Sequence, residues 1–425
     1  MSVKYPILAI IIFIAVKIRT SNLYGLKDIT TGTWTLGPDL DPFLFLRWAK
    51  NIVENGSLMA VDMMRYVPLG FETSGEYILH PYMIAWFHNV AQIFGSESVT
   101  YSAIIYPVFF FVITIVAFFL LTRKIFLKRY GNKVAGSIAL ISAFFLTVIP
   151  SLLPRTIAGI PEKESAAFFF LFMAFYLFIS AWQSENKYWK YGLAILAGIF
   201  TVGMALVWGG YIFIFLVIGP SIFISFILGK ISKERAYVYG LWLVSSLLLM
   251  NLFSPAYNLR NLLSSITTGS AIGVFFIILL HPLLFKTNLK KYFEIGKLGK
   301  MPPQIITTVI AAIIGILVMS LVGDTQPAQK MKDAMPEDPQ AFLKQIMDSI
   351  KRYYKLGFVH GDLSKFNILN YNQTPVLIDF SQASPLRSPH AKEMLKRDIH
   401  NVSEFFRKLD VEVNDEDWFN KITSK

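Results

Sequence analysis

Cysteine is absent from all 425 residues. This excludes disulfides, thiolate metal sites and a cysteine nucleophile, and leaves the compartment open. Charge is scarce too: 16% of positions are Asp, Glu, Lys or Arg, against about a quarter in an ordinary soluble domain. The shortage is uneven. Residues 330–425 carry 15 basic and 14 acidic side chains, while residues 1–329, a far longer stretch, carry 25 and 14. The first part therefore reads as a membrane protein and the second as a small soluble domain. The net charge of +12 is no nucleic-acid signature, because +11 of it lies in the apolar part, where it orients loops. No nucleic-acid partner is expected.

What the chain does contain is apolar: 54% hydrophobic residues, 37 of them Phe, and a mean hydropathy of +0.50. A bilayer core about 30 Å thick takes about 20 apolar residues as helix. Nine stretches approach this, at about 5–18, 101–122, 134–153, 165–182, 191–207, 210–228, 236–252, 270–285 and 305–322. The first lacks a small-residue cleavage site and reads as an anchor helix. Loops 123–133, 183–190, 229–235 and 286–304 are rich in Lys and Arg and alternate with connections nearly free of both. The positive-inside rule puts these four in the cytoplasm. The other side receives the long segment 20–100, the turn 154–164, the Trp208-Gly-Gly turn, loop 253–269 and everything after about residue 322. Lys17 and Arg19 fall on the wrong side of the first helix and would snorkel to the interface. The chain divides into a membrane domain (1–322), a linker (323–340) rich in Pro, Gly and charge, and a C-terminal piece (341–425). N-x-S/T sequons stand at Asn55, Asn372 and Asn401.

Two acidic clusters share the outer face. In GPDLDPFLFLRWAKNIVENG (37–56), Asp41-Pro42, the apolar periodicity and Gly56 read as N-cap, Pro at N1, helix and Gly stop. On that reading Asp41 merely caps a helix and Asp39 is a turn residue. In PRTIAGIPEKESAAFFF (154–170), Arg155, Glu162 and Glu164 lie in a turn before a helix, where acids also serve the macrodipole. Taken together, Asp41, Glu162 and Glu164 supply hard oxygen ligands on one side of the membrane, suited to Mg²⁺ or Mn²⁺. A metal there would neutralise a departing phosphate or pyrophosphate.

The segments GPDLDPFLFLRWA, RYVPLGF (65–71), LHPY (79–82), RTIAGIPEKES (155–165) and WGGY (208–211) occur in an order and spacing that resembles the catalytic subunit of archaeal oligosaccharyltransferase, over about residues 1–322. The resemblance implies a polytopic α-helical membrane protein of GT-C type with about nine transmembrane helices, multi-pass in the cell membrane. It would transfer a glycan from a dolichyl phosphate or pyrophosphate lipid to Asn in N-x-S/T of an acceptor polypeptide. By the same resemblance Asp41 ligates the metal and polarises the acceptor amide, Glu162 is a second ligand, and Glu164 holds the amide N–H. Arg155 lies beside them. His80 sits in a shared motif and reads as a structural histidine. Family members continue into an outer domain bearing a Trp-Trp-Asp motif, and no Trp-Trp pair occurs here, so a truncated transferase is expected.

The tail carries LGFVHGDLSKFNIL (356–369) and PVLIDFSQA (375–383). His360-Gly-Asp362 with Asn367 five residues after the Asp has the spacing of a kinase catalytic loop, and Asp379 stands 12 residues beyond Asn367 between apolar residues. Together with the helical KEMLKRDIHNVSEFF (392–406), this resembles the RIO family of atypical kinases, close to its first subfamily, over about 338–410. The resemblance implies an α+β kinase C-lobe in which Asp362 is the catalytic base, Asn367 a metal ligand, and Asp379 a metal ligand or phosphoryl acceptor. FLKQIMDSIKRYYKLG (342–357) has helical spacing and a Gly stop. No Gly-rich loop or strand Lys precedes it, so Mg²⁺ and ATP are expected only if another chain completes the fragment. Three readings stay open: a glycosyltransferase, a membrane-tethered serine/threonine kinase or ATPase, and an inactive fusion of two gene pieces.

Overall fold

The computed structural model describes residues 4–65, 70–96, 98–287, 289–293, 301–322, 329–331 and 335–424. It divides into two compact units, Met1–Gly315 and Ile316–Lys425.

The first unit is helical: α1 (Lys4–Arg19), α2 (Leu40–Asn55), α3 (Leu79–Ile93), α4 (Val99–Val148), α5 (Lys163–Gln183), α6 (Lys187–Val207), α7 (Ile212–Ile227), α8 (Lys233–Phe253), α9 (Leu259–Ser264), α10 (Ile266–Phe285), α11 (Lys290–Phe293) and α12 (Pro303–Val322). A small hairpin, β1 (Val61–Asp62) and β2 (Phe71–Glu72), stands between α2 and α3. Among the described residues, α4, α5, α6, α7 with its preceding turn, α8 and α10 are long and apolar enough to cross a membrane. Each of the nine apolar stretches is helical over most of its length. The stretch 101–122 and most of 134–153 fall within α4, and α1 is shorter at 16 residues.

The basic stretch 123–133 is not an open loop. Its Arg, Lys and Leu residues are good helix formers, and it stays wound except at Gly131 (φ 73°), where the helix breaks. Helices pack in lipid by bringing backbones close at small residues. At Gly198 of α6 an added Cβ would lie 2.0 Å from the Ser245 hydroxyl and 3.0 Å from the Trp242 carbonyl of α8. Trp242 is fully buried there and donates its indole N–H to Thr201 at 3.0 Å. Gly198→Leu is therefore expected to separate α6 from α8 and cost about 3 kcal/mol by overpacking. A thermal melt followed by tryptophan emission would check this, seven of the eight Trp lying before residue 316.

The second unit holds β3 (Gln329–Lys330), α13 (Pro339–Lys355), β4 (Phe358–Val359), β5 (Ile368–Tyr371), β6 (Thr374–Leu377), β7 (Ser384–Pro385), α14 (Ala391–Arg407) and α15 (Asp415–Thr423). Strands β3, β5 and β6 form an antiparallel sheet in that order, and β4 pairs β7. The tight β5–β6 turn places Asn372 and Gln373 at positive φ, as two-residue hairpins require. Met331, Phe342, Ile346, Leu363, Leu395, Ile399 and Phe406 fill the core. Of the stretch 323–340, residues 323–328 and 332–334 lie outside the described residues.

Candidate active sites of the two units

In the first unit the two acid-bearing turns are joined by backbone. Gly37 N–H donates to the Gly159 carbonyl at 2.9 Å, and Gly159 N–H donates to Ile104 at 3.0 Å. Ala158 N–H donates to the Arg19 carbonyl at 2.8 Å, and the Asn22 amide donates to the Ala158 carbonyl at 2.8 Å. Gly159 has φ +86°, and a Cβ there would meet the Leu26 side chain at 2.5 Å, so the Ala-Gly of the second cluster answers a packing demand. Arg19 does not snorkel. It is fully buried at the end of α1, 3.3 Å from the Phe111 ring centroid, with its Nε 2.9 Å from the Thr156 hydroxyl and Nη1 3.0 Å from the Thr147 carbonyl. These contacts pin the 155–159 turn, although the second terminal nitrogen of Arg19 is buried without a hydrogen-bond partner.

The result is a cluster of charges. Arg155 Nη1 lies 3.1 Å from Glu162 Oε1 and 3.7 Å from Asp39 Oδ2. Glu162 is the N-cap residue of α5 without a side-chain cap bond, is buried, and has its pKa raised to about 7. Burial is the main cause, followed by repulsion from Glu164; Asp39 and Asp41 add to it and Arg155 opposes it. Glu162 thus feels the charges of acids from both turns. The N-cap of α2 is Asp39, with Leu40 the first helical residue; Asp41 is exposed in the first turn. The sequence expectation of Asp41 as cap is corrected, because Pro42 tolerates a place within the first turn. The Gly56 stop holds, with φ 78°.

His80 on α3 is fully buried. Its Nε2–H donates to the Pro161 carbonyl at 2.9 Å, its ring meets Phe45 of α2 edge-on at 4.8 Å, and burial lowers its pKa to about 4. This neutral imidazole joins α2 to the residue before Glu162. At WGGY, a Cβ on Gly209 would lie 2.8 Å from the Tyr77 hydroxyl, which explains that glycine. Residues 66–69 of the RYVPLGF motif lie outside the described residues.

Sequence reading missed Asp62. It is buried, accepts from both Arg47 Nη atoms, from Trp48 Nε1 at 2.9 Å and from Met64 N–H at 3.0 Å, and has its pKa lowered to about 2, chiefly by Arg47. It fastens α2 to the β1 hairpin, and no periodic pattern around it gave a signal.

Among the described residues no group of three or more Asp, Glu or His is gathered closely enough to hold a metal ion. Arg155 stands between Asp39 and Glu162 instead. The donor chemistry still suits a divalent cation: every candidate ligand is a carboxylate oxygen, and a cation would stabilise the charged form of Glu162 against the burial and the neighbouring acids that raise its pKa.

In the second unit the loop 360–367 is held from below by α14. Asp398, buried, accepts from Gly361 N–H at 2.7 Å and Leu363 N–H at 2.8 Å, the two amides flanking Asp362. Arg397 donates to the Gly361 carbonyl, and Asn401 donates to the Leu363 carbonyl at 3.2 Å. The Asn367 amide donates to the Asp362 carbonyl at 2.8 Å. His360 Nε2 contacts the Ile378 carbonyl at 3.0 Å, and Ile378 N–H donates to the Asn367 carbonyl at 2.9 Å. Asp379, with φ 64°, follows directly. Asp362, Asn367 and Asp379 are therefore brought to one end of the sheet, while Asp398 went unnoticed in sequence.

A polytopic helical membrane unit, followed by a kinase-like loop and strand, defines a membrane glycosyltransferase architecture carrying a RIO-type segment. The family profile for "Oligosaccharyl transferase STT3, N-terminal" matches residues 7–325, and the chain belongs to that family. The RIO domain profile matches residues 294–418. A Rio1 RIO-type serine/threonine-protein kinase of Methanocaldococcus jannaschii is 43% identical over 112 residues, 26% of this chain and 39% of that protein. The Haloferax volcanii Rio1 is 33% identical over 115 residues, 27% and 40% of the two chains. The chain thus spans about two fifths of the length of these curated relatives. An Archaeoglobus fulgidus oligosaccharyltransferase in complex with Zn and sulfate has the same fold at TM-score 0.58 and 21% identity, over 82% of this chain and 43% of that one. The archaeal AglB of A. fulgidus, with an inhibitory peptide and a dolichol-phosphate, gives 0.58 and 20%, over 76% and 37%.

Proposed function

We propose that the first unit transfers a glycan from a dolichyl phosphate or pyrophosphate lipid to the Asn of an N-x-S/T acceptor, with Asp41 and Glu162 holding Mn²⁺ or Mg²⁺. The observation that carries this is that two separate turns set Asp39 and Glu162 on one guanidinium, with the charges of Glu164 and Asp41 felt at Glu162. An amide nitrogen is a poor nucleophile because its lone pair is delocalised into the carbonyl. Asp41 and Glu164 accept its N–H hydrogens and so orient it toward the sugar carbon, while Glu162 is the second ligand for the cation. A cation held by Asp41 and Glu162 would supply charge neutralisation for the leaving phosphate. His80 and Gly159 hold the two turns in register. The acid cluster and the C-terminal segment face away from the cytoplasm, as the four basic connections favour.

The test is transfer from a dolichyl-linked glycan to a fluorescent N-x-T peptide by the full chain with Mn²⁺. Asp41→Asn is expected to lower transfer at least about 100-fold, the scale of one lost charge-stabilising group. Equal transfer by both proteins would remove Asp41 from the reaction.

The backbone grip of Asp398 on the 361–363 loop supports a second reading for the C-terminal unit. There Asp362 orients an acceptor hydroxyl, and Asn367 with Asp379 receives Mg²⁺ on ATP once another chain supplies the nucleotide-binding lobe.

A further inference from the structure

Arg155 ends a short 3₁₀ turn whose neighbours are pinned to α1 and α4, so its backbone has little freedom, but its side chain is 46% exposed. Its guanidinium reaches inward to two carboxylates from different elements, Glu162 Oε1 at 3.1 Å and Asp39 Oδ2 at 3.7 Å. The Glu162 side chain is 5% exposed. A buried carboxylate without a counter-charge is costly, and the guanidinium meets that need. A divalent cation would seek the same carboxylates, and it and the guanidinium repel each other when both are held there.

We propose that Arg155 is an exchangeable counter-ion, paired with Glu162 and Asp39 in the cation-free chain and driven toward solvent when a divalent cation enters. This rests on the cation-binding reading above. Arg155 is a positioning residue that competes with the metal. Its exposed face gives the displaced guanidinium water to enter, and the fixed turn keeps it close enough to return.

Mn²⁺ binding to the purified full chain in detergent micelles, read by the loss of the free-ion paramagnetic resonance signal, tests this. Arg155→Gln is expected to tighten Mn²⁺ binding about tenfold, the scale of one partly buried ion pair. Arg155→Lys, which keeps the charge but loses the bridging fork, is expected to tighten it about threefold, and it serves as the second variant should Arg155→Gln fold poorly. Binding unchanged or weakened in both variants overturns the proposal while leaving the cation site standing. Absence of Mn²⁺ binding in wild type and variants alike overturns the underlying reading and the proposal together. Tightening in Arg155→Gln with no effect of Asp41→Asn supports the exchange and moves the cation onto Asp39 and Glu162.

Discussion

Asp398→Ala is expected to lower the stability of the C-terminal unit by about 3 to 5 kcal/mol and to loosen the loop around Asp362. Asp398 accepts two backbone N–H groups, Gly361 at 2.7 Å and Leu363 at 2.8 Å, and is itself buried. Removing it leaves both amides without an acceptor inside the protein, at about 1–3 kcal/mol each. It also removes the carboxylate charge that Arg397, hydrogen-bonded to the Gly361 carbonyl, acts on. A small domain has about 5–15 kcal/mol in total, so the loss is a large share. Amide hydrogen exchange on the full chain would show it as faster exchange at residues 361–363 with β5 and β6 less affected. Unchanged protection there would mean that the loop is held by other contacts. Asp398→Asn keeps one acceptor oxygen and should lose about half as much.

The second large effect is a pH dependence in which two neighbours oppose each other. His80 has its pKa lowered by burial from 6.5 to about 4, and Glu162 has its pKa raised by burial and adjacent carboxylates from 4.5 to about 7. As pH falls from 6.5 to 4, the unfolded chain takes a proton on His80 that the folded chain refuses, so stability is lost. As pH falls from 7 to 4.5, the folded chain takes a proton on Glu162 that the unfolded chain does not, so stability is gained. Each shift of about 2.5 units corresponds to about 3 kcal/mol. Relative to wild type, His80→Asn should therefore melt at progressively higher temperature toward pH 4.5, and Glu162→Gln at progressively lower temperature. His88, shifted downward by burial, is common to all three proteins and cancels in the comparison. Parallel pH curves for the two variants would contradict the burial of either group.

Much of this molecule is written locally. The apolar stretches became helices because a helix satisfies its backbone within one segment, as lipid demands. The 342–357 and 392–406 segments became α13 and α14 because their apolar residues recur at helical spacing. What stayed hidden depends on partners far along the chain. Arg19 looked misplaced beside a membrane helix, yet Thr156, Thr147 and Phe111, all more than 90 residues away, bury it. Asp39 looked like a turn residue until the fold set Arg155 against it. Asp398 did leave a trace: it lies on the stripe of Leu395, Ile399 and Val402, all buried, and an acid on the apolar face of an amphipathic helix calls for a partner. In 123–133 charge suggested a loop, but Lys and Arg are helix formers, and only Gly131 interrupts the winding.

The central claim, that the Asp41 and Glu162 turns meet around one divalent ion, is open to a direct measurement because the chain has no cysteine of its own. The full-length Asp41→Cys/Glu162→Cys double variant, titrated with Cd²⁺ and followed by its thiolate charge-transfer absorbance, is expected to bind one Cd²⁺ per chain. Either single variant is expected to bind it far more weakly. A double variant that binds Cd²⁺ no better than the single variants would place the two side chains too far apart to share an ion and contradict the claim.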